Sequence, residues 1–254
     1  AQIPGGTAGH EYRHDCVARR EQCGECITGV DEAKCPVASV ANVCPVDSEA
    51  VKLVALQMID ESGSEWCLHT HIVDVLQEGD RVTGVITYGK SGFGAYLADL
   101  IIDATGDADI AALSGAPFQA GSDADGATKP PTLMFRIGNV KLTKDRVRAK
   151  LPEDIAEKAG GTWCWLMALP REGEYTVNSP SGLVGFDATR TDHLSHAQAE
   201  TTRQVFLKLD GLRRNLRGCE NAELLSIAPH LGLRDSRRIV GEYTLTEEDV
   251  LTSR

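Results

Sequence analysis

The sequence predicts an α/β fold with an α+β second lobe, and three of its features lead there. A helix-period run stands between Asp47 and Gly63, three strand-like runs separated by turn residues follow, and the third of these ends in a glycine turn. Together they describe a helix, a β-meander and a strand covered on both faces that delivers a loop at its C-terminal end. Ligands of α/β sheets sit at such ends.

Residues 1–45 hold Gly5-Gly6, two histidines and five cysteines without sustained periodicity, so the fold is least defined there. Asp47 then has the side chain of a helix N-cap, and Val51, Val54, Ala55, Met58 and Ile59 repeat at helical spacing up to Gly63. Strands are predicted over Trp66 to Leu76, Val82 to Tyr88 and Tyr96 to Ala104, with turns at Glu78-Gly79-Asp80 and Gly89 to Gly94. The last run passes through Leu100-Ile101-Ile102 into Asp103-Ala104-Thr105-Gly106-Asp107. Beyond Pro117 the pattern is mixed, with strands at Thr132 to Ile137, Trp163 to Leu169 and Ala222 to Ala228 and a long helix from Asp192 to Asn215. The predicted division is one domain over residues 1–115, of which 1–45 are poorly defined, and a second over 116–254. Gly232 opens a basic cluster in the second domain, Arg234, Arg237 and Arg238.

The chain has 254 residues, 42% hydrophobic, which suffices for a sizeable core and excludes a mini-protein or a disordered tail. Its net charge of −11 gives no concentrated basic face for nucleic acid or an anionic membrane, and no apolar run reaches the roughly 20 residues of a membrane span. Eight cysteines in a chain of this size suit reduced thiols better than a disulfide framework. The expectation is a cytoplasmic protein that acts on a small molecule.

Three motifs suggest other chemistry. Gly84 to Ser91 matches the phosphate-loop pattern by letter, yet Gly92-Phe93-Gly94 breaks the helix that must follow the Lys-Ser pair, so a solvent turn is predicted. His10-Glu11-Tyr12-Arg13-His14 has the spacing of a zinc-hydrolase helix, but only nine residues precede it to form a supporting sheet. Cys23 and Cys26, with Cys16, Cys35 and Cys44 nearby, lack the second close pair of a zinc ribbon. His193 and His196 lie three apart on the long helix without a third ligand. No metal site is predicted.

The segments Asp47 to Gly63, Leu68 to Val75, Arg81 to Val85, Ile101-Ile-Asp-Ala-Thr-Gly-Asp-Ala-Asp109, Gly115-Ala-Pro117, Thr132 to Arg136 and Gly232 to Tyr243 occur in an order that resembles the FAD-dependent oxidoreductases of the glutathione-reductase-like superfamily. The likeness covers roughly residues 46–251. It implies an incomplete FAD-binding Rossmann-like domain with a β-meander, followed by a mixed substrate or cap domain. The family's opening Gly-x-Gly-x-x-Gly turn is missing: Gly92-Phe-Gly94 lies between strands, with Leu97 in place of the third glycine. Glu247 to Leu251 stands where the family continues toward a closing segment. The expectation is therefore a central fragment, or a subunit completed by a second chain or a missing segment that supplies the glycine-rich half.

The resemblance implies FAD as cofactor and two-electron, hydride-type transfer between it and an organic substrate. Ile72 would meet the adenine through its strand backbone, Ala104, Thr105 and Gly106 would bring the chain close to the cofactor, and Asp107 would lie near its ribityl-pyrophosphate portion. Arg234 and Arg237 have the guanidinium chemistry to bind a substrate carboxylate or stabilise a reduced ring, and His230 that of a proton donor. Arg238 has Asp235 and Glu242 within reach for a structural ion pair. The competing readings are a zinc-dependent hydrolase using His10, Glu11 and His14, and a non-catalytic remnant that binds a partner.

Overall fold

A computed structural model describes residues 46–122, 126 and 128–252. The first helix, α1 (Ser48–Ser62), begins and ends where its caps dictate: the Asp47 side chain accepts the Glu49 N–H, and Gly63 takes the left-handed conformation with φ 70°. Its apolar residues are not buried, however; Val51, Leu53 and Met58 are exposed. The meander follows as β1 (Thr70–Glu78), β2 (Arg81–Gly89) and β3 (Gly92–Leu97), antiparallel in that order. Gly84 to Ser91, the phosphate-loop lookalike, is strand β2 and its hairpin turn, so no helix starts at Lys90.

The predicted strand limits differ from those observed, and Gly92 to Gly94, predicted as turn, opens β3 because it pairs with Thr87 to Gly89 across a tight hairpin. The first strand starts at Thr70 rather than Trp66, because His69 takes φ 57° and breaks the extended run. The third stops at Leu97: Leu100 and Ile102 lie outside any ladder and are 79% and 80% exposed. An apolar run becomes a strand only where a neighbour accepts its backbone bonds, and β3 is paired by β2 alone among the described residues.

Beyond the 103–109 turn come α2 (Asp109–Leu113) and β4 (Phe118–Gln119). The second large sheet is antiparallel and built from β5 (Phe135–Gly138), β6 (Arg146–Lys150), β7 (Trp163–Ala168), β8 (Tyr175–Asn178) and β9 (Glu223–Ile227), in the order β6-β7-β8-β5-β9. A short helix, α3 (Glu153–Ala156), separates β6 from β7, and α4 (Thr191–Asn215) separates β8 from β9. The chain closes with β10 (Arg238–Ile239), which pairs with β4, and α5 (Glu247–Thr252). No helix among the described residues is long and apolar enough to cross a membrane.

The core lies between α4 and one face of the five-stranded sheet. Ala197, Thr201, Val205, Leu209 and Leu212 form a buried stripe at helical spacing, and Phe135, Ile137, Leu166 and Val177 alternate toward it from the strands. The intervening residues Arg136, Thr176 and Met167 sit side by side across the other face. Two compact units result: Pro130–Leu233 with the α1 segment, and Glu65–Lys129 with Arg234–Arg254. These units are cut differently from the 1–115 and 116–254 domains drawn from the sequence, since the second unit is made of two stretches far apart in the chain.

The α4 stripe also buries Lys208, whose Nζ donates to the Pro180 carbonyl at 3.0 Å. Burial pushes Lys208 down to about 8 and the neighbouring Cys164 thiol up to about 11. Above about pH 8 folded Lys208 releases a proton that the unfolded chain, with its ordinary value of 10.5, still holds, so stability rises with pH. Above pH 9 Cys164 acts oppositely, keeping a proton that the unfolded thiol gives up. Urea unfolding should therefore show a Lys208 contribution of about 1 kcal/mol between pH 8 and 9, partly offset in the wild type by Cys164 and Cys219, whose thiols are both pushed up to about 11. The Lys208→Met variant should lose that contribution.

Candidate functional site

The segment Asp103-Ala104-Thr105-Gly106-Asp107-Ala108-Asp109 has no ladder to support it and is held by side chains instead. Asp103 organises it. Its Oδ1 accepts the Thr105 N–H at 3.0 Å and the Thr105 hydroxyl at 2.7 Å, and its Oδ2 accepts the Ala111 N–H at 3.0 Å. Thr105 Oγ1 in turn accepts the Asp109 N–H at 3.1 Å. Burial by itself would raise the Asp103 carboxyl, but the N–H groups of Ala111, Thr105 and Ile110 and the Thr105 hydroxyl outweigh it and hold the group below the usual carboxylate range. Gly106 and Ala108 both have positive φ, 83° and 55°. For alanine that is an uncommon conformation, of the kind found where a surrounding network over-determines the backbone.

The rest of the network comes from the far end of the chain. Ser236, buried, donates its hydroxyl to Asp107 Oδ1 at 2.5 Å. Arg237 Nη1 donates to Asp109 Oδ1 at 2.6 Å and to the Asp107 carbonyl at 3.3 Å, and its guanidinium lies 5.5 Å from the centre of the Phe118 ring. Arg238 pairs through its backbone with Gln119 and donates a side-chain N–H to the Gly121 carbonyl at 2.5 Å. Asp235, predicted within reach of Arg238, accepts the Lys129 N–H at 2.9 Å. The 235–238 segment is thus bonded to Asp107, Asp109, Gly121 and Lys129.

Of the predicted site residues, the structure brings Thr105, Gly106, Asp107 and Arg237 together. Ala104, Thr105 and Gly106 are exposed along the turn. Arg237 touches the turn through two contacts, at Asp107 and Asp109, and so positions it. Ile72 lies in β1 opposite Thr87, at an irregularity of register, and is half-exposed. Arg234 is exposed in the same unit, whereas His230 is exposed in the other. Asp103, Asp109 and Ser236 were not predicted. The Asp-x-Thr spacing of an Asx-type turn was the available signal for Asp103; Ser236 carried none.

His10, Glu11 and His14, and Cys16, Cys23, Cys26, Cys35 and Cys44, lie outside the described residues. Among the described residues no group of three metal-ligating side chains converges, and Cys67, Cys164 and Cys219 are free thiols. His193 Nδ1 accepts the Asp187 N–H at 3.0 Å, a structural use of the imidazole.

A fit to FAD can be tested on the turn itself. A Cβ built on Gly106 would point into open space, and the small residues before it leave the backbone approachable, so a flat or extended ligand can lie against this stretch. The residues present fit such a group.

Residues 8–254 match the family model described as FAD dependent oxidoreductase. Among solved structures, a geranylgeranyl bacteriochlorophyll reductase-like protein from Thermoplasma acidophilum is similar at 15% identity with a TM-score of 0.50, covering 74% of this chain and 42% of its own. The myxobacterial chondrochloren halogenase, an FAD-dependent halogenase, is similar at 13% identity and TM-score 0.48, covering 80% and 44%. The p-nitrophenol 4-monooxygenase of Pseudomonas putida DLL-E4 is similar at 15% identity and TM-score 0.46, covering 78% and 45%. The chain spans less than half the length of each of these three structures. No curated protein matches it.

Proposed function

Since the chain belongs to the FAD-dependent oxidoreductase family, we propose that it passes two electrons as a hydride between a small organic substrate and the flavin, with the 103–109 turn as one wall of the cofactor site. The observation that carries this reading is the Asp103-centred network, which fixes a turn with Thr105 and Gly106 exposed and Ala108 held at the uncommon φ of 55°. FAD, when bound, supplies the hydride acceptor and donor. The chain's own residues do the positioning. Gly106 lets the backbone approach closely, Asp107 lies beside it with Ser236 fixing its carboxylate, and Arg237 anchors the C-terminal side of the turn. Ile72 is the proposed adenine contact, and Arg234 and His230 are the proposed substrate-facing charge and proton donor.

The exposed side chains of Leu97, Leu100 and Ile102 beside this turn favour covering by a glycine-rich dinucleotide-binding half, from a further segment or a second chain. The net charge of −11 favours a small-molecule partner over nucleic acid or membrane, and the free thiols suit a reduced, cytoplasmic setting.

The test is flavin retention. The purified chain, mixed with FAD and desalted, should carry flavin absorbance, and the Gly106→Val variant should retain at least tenfold less. A side chain there strains a backbone at φ 83°, by about 1–2 kcal/mol, and stands in the approach path. Equal retention by both proteins would remove the turn from the cofactor site.

A further inference from the structure

Among the described residues, two buried side-chain nitrogens have no hydrogen-bond partner, and both are arginine Nε atoms on the five-stranded sheet, of Arg136 and Arg148. Arg148 has another stabilising contact, since its guanidinium lies 4.1 Å over the Trp163 ring and 5.7 Å from that of Trp165. Arg136 has none of this kind. It sits across from Thr176, which faces Met167, on the sheet face turned away from α4. One Nη donates to Glu174 at 2.7 Å, with the two side chains only 26% and 17% exposed. A buried donor left without an acceptor calls for a missing partner.

Arg136 borders a cavity of about 250 Å³ at the N-terminal end of α1. Arg171 lines it too. That side chain is 67% exposed, and its ion pair with Asp47 is loose, at 3.7 Å. The Asp47 carboxylate is already occupied by the Glu49 N–H at 2.9 Å. Each guanidinium carries five N–H donors. Arg136 has given one to Glu174, so donors on both guanidiniums remain for a further acceptor. The Asp47 carboxyl is held below its usual range by the Glu49 N–H first, and by the charges of both Arg171 and Arg136, so the two cations act on one space. Met167 and Leu169 give the same cavity an apolar wall.

We propose that this cavity binds a small organic monocarboxylic acid, with Arg136 and Arg171 holding the carboxylate and Met167 and Leu169 covering the apolar body. A planar fork of donors matches a carboxylate better than any neutral group. Glu174 and Asp47 restrict the ligand to a single negative charge, because a more highly charged anion would meet both of them. The volume lies below the usual range for drug-sized ligands and selects a compact molecule. The binding of the acid does not depend on the flavoenzyme reading above.

The test is a titration of the protein with benzoate and with butyrate, a cyclic and a linear acid, followed by calorimetry and by broadening of the ligand's NMR lines. Benzamide and butyramide serve as neutral isosteres. At least one acid should bind in the millimolar range or tighter, with its amide at least about tenfold weaker. Arg136→Lys keeps the charge without the fork and should weaken that acid about tenfold. Arg171→Gln, at a largely exposed position with little bearing on folding, should weaken it several-fold. No acid binding up to about 20 mM, equal binding of acid and amide, or wild-type affinity in both variants overturns the site. Flavin retention, read on the same samples, separates the two readings. Acid binding without flavin retention overturns only the flavoenzyme reading, and flavin retention without acid binding overturns only this site.

Discussion

Replacing Asp103 by alanine should release the 103–109 turn and abolish most flavin retention. Three donors lose their acceptor at once: the N–H groups of Thr105 and Ala111 and the Thr105 hydroxyl. Hydrogen bonds to a charged acceptor contribute about 1.5–3 kcal/mol, and part of this is recovered here because the freed groups of a partly exposed turn reach water. The expected local loss is about 2 kcal/mol, seen as faster hydrogen exchange at the Ala111 amide by a factor of about 30. Asp103→Asn should fall between the two, since its carbonyl still serves Thr105 while its NH₂ opposes the Ala111 N–H. The pH dependence has a fixed sign. A carboxyl held below its ordinary 3.8 stabilises the fold above that pH and loses the contribution as the pH falls through its folded value, so the wild-type amide should lose protection in acid and the alanine variant should not. An Ala111 exchange rate unchanged by Asp103→Ala would show that the carboxylate does not organise the turn.

The largest expected loss of stability is at Gly160. This glycine has φ 75°, and a Cβ on it would stand 2.0 Å from the Ser181 carbonyl oxygen and 2.3 Å from its carbon. The backbone at Ser181 cannot retreat freely, because its carbonyl accepts the side-chain amide of buried Gln204 at 3.0 Å. Gly160→Ala should therefore cost at least about 3 kcal/mol in urea unfolding. Gly185→Ala is the control. Its φ of 67° imposes similar backbone strain, but nothing lies within 4 Å of the added methyl, so about 1 kcal/mol is expected. Equal losses at the two positions would mean that backbone strain alone, and not the contact with Ser181, governs Gly160.

The difference between what was and was not legible follows the reach of each interaction. Both caps of α1 were legible because Asp47 and Gly63 act on residues one turn away. The α4 helix was legible because its apolar stripe repeats along one element. The meander was legible from its turns, although the apolar run through Leu100 and Ile102 reads as strand and has no ladder, since pairing depends on a neighbour that the run itself does not encode. The Thr105-Gly106-Asp107 motif was legible as a sequence, but its fixings were not. Local reasoning looked for partners of Arg238 at Asp235 and Glu242, a few residues off. The structure ties Arg237 to Asp109, 128 residues away, and Ser236 to Asp107, 129 residues away. Charge pairs at such separation are set by the fold, and many carboxylates compete on equal terms until it forms.

Those separations also impose an order of events on the ribosome. The stretch from residue 130 to 233 has its ends tied together by reciprocal backbone bonds between Thr132 and Gly232, 3.0 and 2.7 Å, and it contains the five-stranded sheet and α4. It can close once Gly232 has left the ribosome. The turn at 103–109 emerges first, yet it must wait for Ser236 and Arg237, a lag of roughly 6–26 s at ordinary elongation rates. Throughout that interval Leu97, Leu100 and Ile102 stand in the nascent chain beside an unlatched turn. The unit proposed to hold the cofactor wall thus matures only after the 130–233 stretch has been made, and a chaperone or an early-bound flavin would find its substrate in that window.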